Sequence, residues 1–179
     1  MAEQRSASID ATMPKTVFVQ HLGGIDVSYR MAKTYRQNKP TLILLNPFTT
    51  CAELYRGQLH SVQLSDTMNL VAIELLGHGD TRARVAETFT YWDSAVMILQ
   101  AMDALGIKKA FLLGISQGGW IATRVALYAP DRVRLFLLLT FTVIRSNNVI
   151  RLRALSPLER AWTTRMSALS KQAAGMAGK

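Results

Sequence analysis

Cysteine is almost absent from the 179-residue sequence. The sequence features of disulfide-bonded, membrane-spanning, secreted and peroxisomal proteins are absent as well. The one cysteine, Cys51, has no second cysteine to pair with inside the chain, so an intracellular, reducing location is expected. The longest apolar run, residues 133–144, falls well short of the roughly 20 residues that cross a bilayer. Residues 1–15 lack the apolar core of a signal peptide, and the final Ala-Gly-Lys is not a peroxisomal tripeptide of the Ser-Lys-Leu kind. A cytoplasmic protein without a membrane span is therefore expected, in preference to a peroxisomal one.

Acidic residues are scarce, with 12 Asp and Glu against 21 Lys and Arg and a formal net charge of +9. A basic segment attracts nucleic acid or anionic lipid. The sequence carries neither a nucleic-acid recognition motif nor basic residues interleaved with aromatic ones, so no nucleic-acid partner is expected. The hydrophobic content of 49% excludes an intrinsically disordered chain.

Strand-like apolar segments alternate with helical ones over most of the chain. Two β-rich segments flank Gly23-Gly24 and predict a hairpin. The chain then runs strand, helix, strand, helix, strand, helix, strand over residues 41–48, 52–64, 68–76, 90–106, 108–115, 116–130 and 132–140. Such apolar strands are typical of a parallel sheet that is covered on both faces. We therefore predict an α/β fold, an N-terminal hairpin followed by a mostly parallel, doubly wound sheet of about six strands.

Residues 114–118, Gly-Ile-Ser-Gln-Gly, match Gly-x-Ser-x-Gly between a predicted strand and a predicted helix. This motif places its serine on a strained turn that exposes the hydroxyl, and its glycines leave room for the backbone. The N-terminus of the following helix favours the negative charge that develops during acyl transfer. Ser116 is therefore predicted to be a nucleophile, with Gly114 and Gly118 as the elbow glycines. An ordinary strand-to-helix connection is the alternative.

Together with this motif, three other segments resemble the α/β-hydrolase superfamily in order and spacing. Residues 42–48 are similar to the family's third strand and oxyanion loop, and residues 73–81 to its Gly-His-Gly-x-Ser turn, with threonine in place of serine. Residues 126–139 are similar to the passage from helix to sixth strand. The resemblance covers about residues 16–140. Its overall pattern is similar to fungal members, including those of secondary-metabolite and host-selective toxin gene clusters.

The resemblance implies a serine hydrolase that acts on an ester, thioester or related carbonyl compound, a small-molecule acyl substrate. The backbone N–H groups of Phe48 and Gln117 would form the oxyanion hole, and neither a metal nor an organic cofactor is implied. His78 and Asp80 fall beside the site. His78 is more simply explained by an imidazole that ties its loop together, and Asp80 by a solvated turn residue.

The most consequential absence is that of a histidine after Ser116. In the family the order along the chain is serine, acid, histidine, because the histidine takes the serine proton and the acid orients the histidine. The acids after Ser116 are Asp131, at the sheet end opposite the elbow, and Glu159, in the basic tail. The three histidines all precede it: His21, His60 and His78. No triad partner is assigned.

The family's full domain has more strands than are predicted here, so the sheet is expected to be incomplete. We predict a flexible N-terminus over residues 1–15, a partial α/β-hydrolase domain over residues 16–140, and an aberrant basic tail over residues 141–179. A truncated, frame-shifted or mis-spliced copy would have this pattern. The alternative to an enzyme is a catalytically inactive remnant or binding protein, whose open sheet edge favours self-association.

Two further features concern the predicted core. Glu74 lies inside the strand predicted over residues 68–76, where an unpaired buried carboxylate would be costly. Trp92, Met97 and Met102 recur at helical spacing and predict a stripe that faces the core.

Overall fold

The computed structural model describes residues 13–139 of the chain. They fall within one compact unit of the chain, which ends at residue 140. Most of the predicted flexible N-terminus and the whole of the predicted basic tail lie outside the described residues. Within residues 13–139, no helix has the length and apolar character needed to cross a membrane.

The described chain opens with an antiparallel hairpin of two strands, β1 (Lys15–Val19) and β2 (Ile25–Met31). A short 3-10 turn over His21–Gly23 joins them. Gly23 and Gly24 have positive φ values of 78° and 118°, which glycine adopts without a steric cost. The hairpin predicted at the glycine pair is confirmed.

Five more strands of residues 13–139 join this hairpin in one mixed sheet: β3 (Thr41–Leu45), β4 (Asn69–Ile73), β5 (Arg82–Ala83), β6 (Ala110–Ile115) and β7 (Val133–Leu139). The order across the sheet is β1-β2-β4-β3-β6-β7, and β5 pairs with β2. Strands β4, β3, β6 and β7 are mutually parallel, whereas β2 runs antiparallel to β4. The predicted fold class is confirmed. The sequence pattern missed β5 because two residues are too few to show an alternation.

Within the described part of the chain, four α-helices accompany the sheet: α1 (Arg56–His60), α2 (Val62–Thr67), α3 (Tyr91–Ala104) and α4 (Gln117–Tyr128). The predicted helix over residues 52–64 is instead a 3-10 turn, Ala52–Tyr55, followed by α1 and α2. Ser61 separates the two helices because its ψ of 111° is extended. Its side chain accepts a hydrogen bond from the N–H of Leu64, which makes Ser61 the N-cap of α2.

The core consists of two apolar layers, one on each face of the sheet. Ile43 belongs to the layer that α3 and α4 cover. Its neighbour Leu44 belongs to the other layer, with Tyr55 and Leu59. Neighbouring residues of β3 enter different layers because successive strand side chains point to opposite faces.

The apolar stripe predicted on α3 is only partly present. Met97 and Met102 are completely buried, whereas Trp92 is 47% exposed. All buried residues of α3 lie between Ser94 and Met102, so the first turn, with Trp92, extends past the packed layer. The prediction was wrong for Trp92 because helical spacing does not show where the covering layer ends.

Candidate active site

A single residue, Ser116, separates β6 from α4, so the backbone must change from strand to helix within one residue. Its φ of 50° and ψ of −113° form a combination that residues with a Cβ rarely adopt. Among the described residues, the other non-glycine positions with positive φ are Leu22 and Thr49. Ser116 is also exposed. A strained, exposed serine after a central parallel strand has the geometry expected of a nucleophile elbow.

The glycines on either side of Ser116 leave the space that this turn needs. A Cβ on Gly114 would lie 2.2 Å from the carbonyl carbon of Gly118. A Cβ on Gly118 would lie 2.3 Å from the carbonyl oxygen of Leu45. Both distances are far below the ~3.5 Å of an ordinary contact, and both obstacles are backbone atoms that cannot rotate away. The glycines therefore let α4 start directly against β3 and β6.

The first turn of α4 offers backbone donors beside Ser116. The carbonyl of Ser116 accepts hydrogen bonds from the N–H groups of Gly119 and Trp120, at 3.0 and 3.1 Å, so the helix is formed from its first turn. Gln117 is its first residue, and the first N–H groups of a helix have no acceptor within the helix. The aligned peptide dipoles add partial positive charge at this end. The N–H of Gln117 therefore remains a candidate oxyanion donor.

The other candidate donor, the N–H of Phe48, lies in the loop that follows β3. Strands β3 and β6 are parallel neighbours in which Leu45 pairs with Gly114. The loop after β3 and the elbow after β6 therefore lie at the same edge of the sheet, the one formed by the carboxyl ends of the parallel strands. The side chain of Phe48 is 65% exposed at this edge.

Asn46 fixes the start of the loop that carries Phe48. Its buried side chain accepts a hydrogen bond from the N–H of Leu75 at 3.2 Å. Its Nδ2 donates to the carbonyls of Pro47 and Thr50, both at 3.0 Å. Asn46 lies in the segment that resembles the oxyanion loop, but the sequence pattern does not indicate that its side chain holds the loop.

Tyr55 supports the same edge from the second apolar layer. Its hydroxyl donates a 2.7 Å hydrogen bond to the carbonyl oxygen of Leu45, the atom that Gly118 approaches. Burial raises the pKa of Tyr55, which keeps the hydroxyl protonated as a donor. No sequence signal identified this residue, because its partner is a backbone atom ten positions earlier in the chain.

A third loop, residues 77–81, follows β4 and brings His78 to the site. The rings of His78 and Phe48 meet edge to face, with their centroids 5.9 Å apart. The Nδ1 of His78 lies 2.9 Å from the carbonyl oxygen of Leu76, a contact that ties the loop together as an N–H donor to a carbonyl. Asp80 lies in the same loop and is exposed, as a solvated turn residue would be.

The described residues contain an acid–histidine pair, but it lies away from the elbow. Nε2 of His21 is 2.9 Å from a carboxylate oxygen of Asp93, which links the β1–β2 hairpin to α3. In the strand order, β2 is separated from β6 by β4 and β3. Three strand spacings amount to roughly 14 Å, too far for the imidazole to take a proton from Ser116.

None of the other candidate triad partners has a contact with Ser116 among those of the described residues. Nδ1 of His60 lies 2.9 Å from the carbonyl of Arg56 on α1. Asp131 lies in a 3-10 turn before the start of β7, whereas Ser116 follows the end of the parallel neighbour β6. Glu159 lies beyond residue 139. Among residues 13–139, no group of three or more His, Cys, Asp or Glu side chains could hold a metal ion.

Comparison with known proteins gives one family and several partial matches. Residues 22–158 match the family model described as alpha/beta hydrolase fold. The dihydrolipoyllysine-residue acetyltransferase component of the acetoin cleaving system of Cupriavidus necator is 40% identical over 70 residues, 39% of this chain and 18% of that protein. Epoxide hydrolase 3 of Siraitia grosvenorii is 33% identical over 113 residues, 62% of this chain and 35% of that protein.

A crystal structure of an epoxide hydrolase from Vigna radiata shares the fold. It superposes with a TM-score of 0.63 at 22% sequence identity, over 79% of this chain and 42% of that one. The chain thus spans less than half the length of each of these three proteins.

Proposed function

We propose, since the chain belongs to the alpha/beta hydrolase fold family, that it is a serine hydrolase whose Ser116 attacks an ester, thioester or related carbonyl carbon. The observation that carries the proposal is the backbone of Ser116, which holds a positive φ between two glycines that have no room for a Cβ. Backbone strain of this kind persists where the surrounding structure enforces it, and it clusters at active sites.

In the proposed reaction, Oγ of Ser116 forms a bond to the acyl carbon, and the carbonyl oxygen becomes an oxyanion. The N–H groups of Phe48 and Gln117 are the proposed donors to that oxyanion. One donor of this kind typically raises kcat by about 10²–10³-fold. The alcohol or thiol then leaves with a proton, and water cleaves the acyl-serine ester. Because the acyl group goes to water, the reaction needs no redox partner.

The identity of the nucleophile favours acyl substrates over epoxides, although two of the similar proteins are epoxide hydrolases. A carboxylate that opens an epoxide leaves an ester, which water can cleave. A serine that opens an epoxide is left as an ether, which water does not readily cleave, and turnover stops. The residue at the elbow is Ser116, so a carbonyl substrate is the consistent one.

The proposed enzyme also needs a general base, which typically contributes 10²–10⁴-fold. No histidine follows Ser116 in the sequence, and the His21–Asp93 pair belongs to the hairpin side of the sheet. A second candidate is a binding protein that keeps the fold and the elbow without turnover, because the His21–Asp93 pair of the described residues lies away from Ser116. Self-association through a sheet edge stays a prediction, and so does a role in fungal secondary metabolism. No contact in the site tests either of them.

Labelling with a fluorophosphonate, which reacts with activated serine hydroxyls, tests the proposal. The expected result is covalent labelling of the folded protein at Ser116, and no labelling of Ser116→Ala. Ser61→Ala is a matched control, because it removes a hydroxyl that caps α2 and leaves the elbow unchanged. We expect this control to label at the wild-type rate.

Each result separates the two candidates. Labelling that survives in Ser116→Ala would remove the proposed role of Ser116. A folded wild-type protein that is never labelled would favour the binding protein. Hydrolysis of a p-nitrophenyl ester that depends on Ser116 would in turn exclude the inactive candidate.

A further inference from the structure

We propose that Glu74 is a positioning residue that holds two loops of the candidate site, residues 46–52 and 77–81, at a fixed separation. This inference rests on the proposed function, because the first loop contains the proposed oxyanion donor of Phe48. Glu74 directly follows β4 and is 2% exposed. The sequence alone raised the possibility of a costly unpaired carboxylate at this position, but both of its oxygens have partners.

The two carboxylate oxygens of Glu74 accept hydrogen bonds from two different loops. Oε1 accepts from the N–H of Ala52 at 3.1 Å, where the first loop ends. Oε2 accepts from the N–H of Asp80 at 2.7 Å, in the second loop. One rigid planar group therefore sets the distance between these two backbone amides.

The backbone of Glu74 is held as firmly as its side chain. Its N–H donates to the carbonyl of Ser28 at 3.0 Å, and its carbonyl accepts from the hydroxyl of Thr81 at 2.8 Å. The Thr81 hydroxyl also accepts from the N–H of Ser28 at 3.0 Å. The carboxylate is thus fixed by β2 and the second loop, and it transmits that position to Ala52.

The loop that carries Phe48 is consequently anchored at both ends. Asn46 holds its start, and Glu74 holds its end at Ala52. Between these anchors Thr49 has a positive φ of 62°, a conformation that a non-glycine residue keeps only when its surroundings enforce it. Loss of either anchor should therefore let the N–H of Phe48 move.

Gly79 has the shape that this arrangement requires. Its φ is 51°, and a Cβ at this position would lie 2.0 Å from Oε2 of Glu74. The second loop therefore closes over the carboxylate so tightly that only glycine fits. The ring contact between His78 and Phe48 then joins the same two loops on the exposed side.

The chemistry of the carboxylate distinguishes positioning from simple filling of space. A carboxylate accepts at both oxygens, whereas the amide of glutamine accepts at one atom and donates at the other. Glu74→Gln should keep the hydrogen bond from one of the two backbone amides, Ala52 or Asp80, and lose the hydrogen bond from the other. In Glu74→Met the side chain has a similar volume but no carboxylate acceptor, so both hydrogen bonds should be lost.

The test measures the fluorophosphonate labelling rate of Ser116 and the hydrogen exchange of the Ala52 and Asp80 amides in the same set of proteins. We expect the labelling rate to fall in the order wild type, Glu74→Gln, Glu74→Met. The step to Glu74→Gln should be at least about 10-fold, because small displacements of catalytic groups cost rates of that size. Exchange should accelerate at one of the two amides in Glu74→Gln and at both in Glu74→Met.

Asn69→Asp is the matched control, since Asn69 is a buried residue at the other end of β4. Its Nδ2 donates to the carbonyls of Arg36 and Lys39 and to Oγ1 of Thr41. The substitution also exchanges an amide and a carboxylate without a change of size. It should lower the stability of the protein but leave the labelling rate and the two exchange rates unchanged.

The outcomes separate this inference from the proposed function. A wild-type protein that labels, with Glu74→Gln labelling at the same rate, would overturn the inference and leave the proposed function intact. A wild-type protein that does not label would count against the proposed function. In that case, unchanged exchange at both amides in Glu74→Met would still overturn the positioning role, and accelerated exchange would support it.

Discussion

Helices α3 and α4 lie against the same apolar layer, yet they begin in opposite ways. The hydroxyl oxygen of Thr90 accepts from the N–H of Asp93, and the Asp93 carboxylate accepts from the N–H of Thr90 at 2.7 Å, which forms a capping box at the start of α3. Helix α4 has Ser116 as its N-cap, which has positive φ and whose side chain accepts no hydrogen bond from the first turn. The first helix start has a side-chain acceptor at its N-cap, and the second has none.

The two helix starts also differ in charge, because the first turn of α3 contains a carboxylate and that of α4 does not. Hydrogen bonds, the largest from the Thr90 side chain, lower the pKa of Asp93, so a negative charge already lies at the N-terminus of α3. The first turn of α4 contains no acidic residue. An anion that forms beside Ser116 therefore meets the partial positive charge of the helix without a competing carboxylate from that turn. The helix start that lacks both a side-chain cap and an acidic residue is thus the one where chemistry is proposed.

The largest expected effect comes from filling the space that α4 needs. Gly118→Ala should destabilise the protein by about 3 kcal/mol or more and abolish labelling of Ser116, because its Cβ would collide with the backbone of Leu45. Urea unfolding followed by circular dichroism measures the change in the free energy of unfolding.

Gly57→Ala is the control for this substitution. Gly57 lies within α1, and a Cβ there would meet no atom of the described residues within 4 Å. It should raise the stability by up to about 1 kcal/mol, since alanine favours a helix. Equal destabilisation by both substitutions would show that the close contact of the elbow with β3 is not the cause.

A smaller effect is expected at the capped helix. Thr90→Ala removes the hydroxyl oxygen that accepts from Asp93 and should lower the free energy of unfolding by about 1 kcal/mol. Thermal unfolding would detect this change. Ser116→Ala removes no cap from α4 and should leave the stability nearly unchanged. A loss in Ser116→Ala as large as that in Thr90→Ala would mean that the two helix starts are equivalent.

The smallest expected effect has the opposite sign. Ser116→Gly relieves the positive φ of 50° and should raise the free energy of unfolding by up to about 1 kcal/mol, while labelling is lost. The same substitution at Ser61, whose φ is −68°, relieves no strain and should lower the stability by a few tenths of a kcal/mol. Destabilisation in Ser116→Gly, measured by urea unfolding, would contradict the idea that the elbow stores strain.

Much of the fold was predictable because its signals are local. Gly23-Gly24 marked the hairpin, and the pattern of Gly114, Ser116 and Gly118 marked a sharp turn between a strand and a helix. The sequence assigned no triad partner to Ser116, because all three histidines precede it. The break at Ser61 was not predicted, since apolar spacing alone does not reveal an extended residue between two short helices.

The sequence by itself determined the order of strands and helices and the place of the strained serine, because apolar periodicity and glycine position act over a few residues. Only the tertiary structure decided which distant groups meet. It brought the carboxylate of Glu74 to two amides, 22 positions before it and six after it, and it paired His21 with Asp93 on the hairpin side of the sheet. Such contacts depend on which strands become neighbours, and strand order is a property of the whole packed sheet.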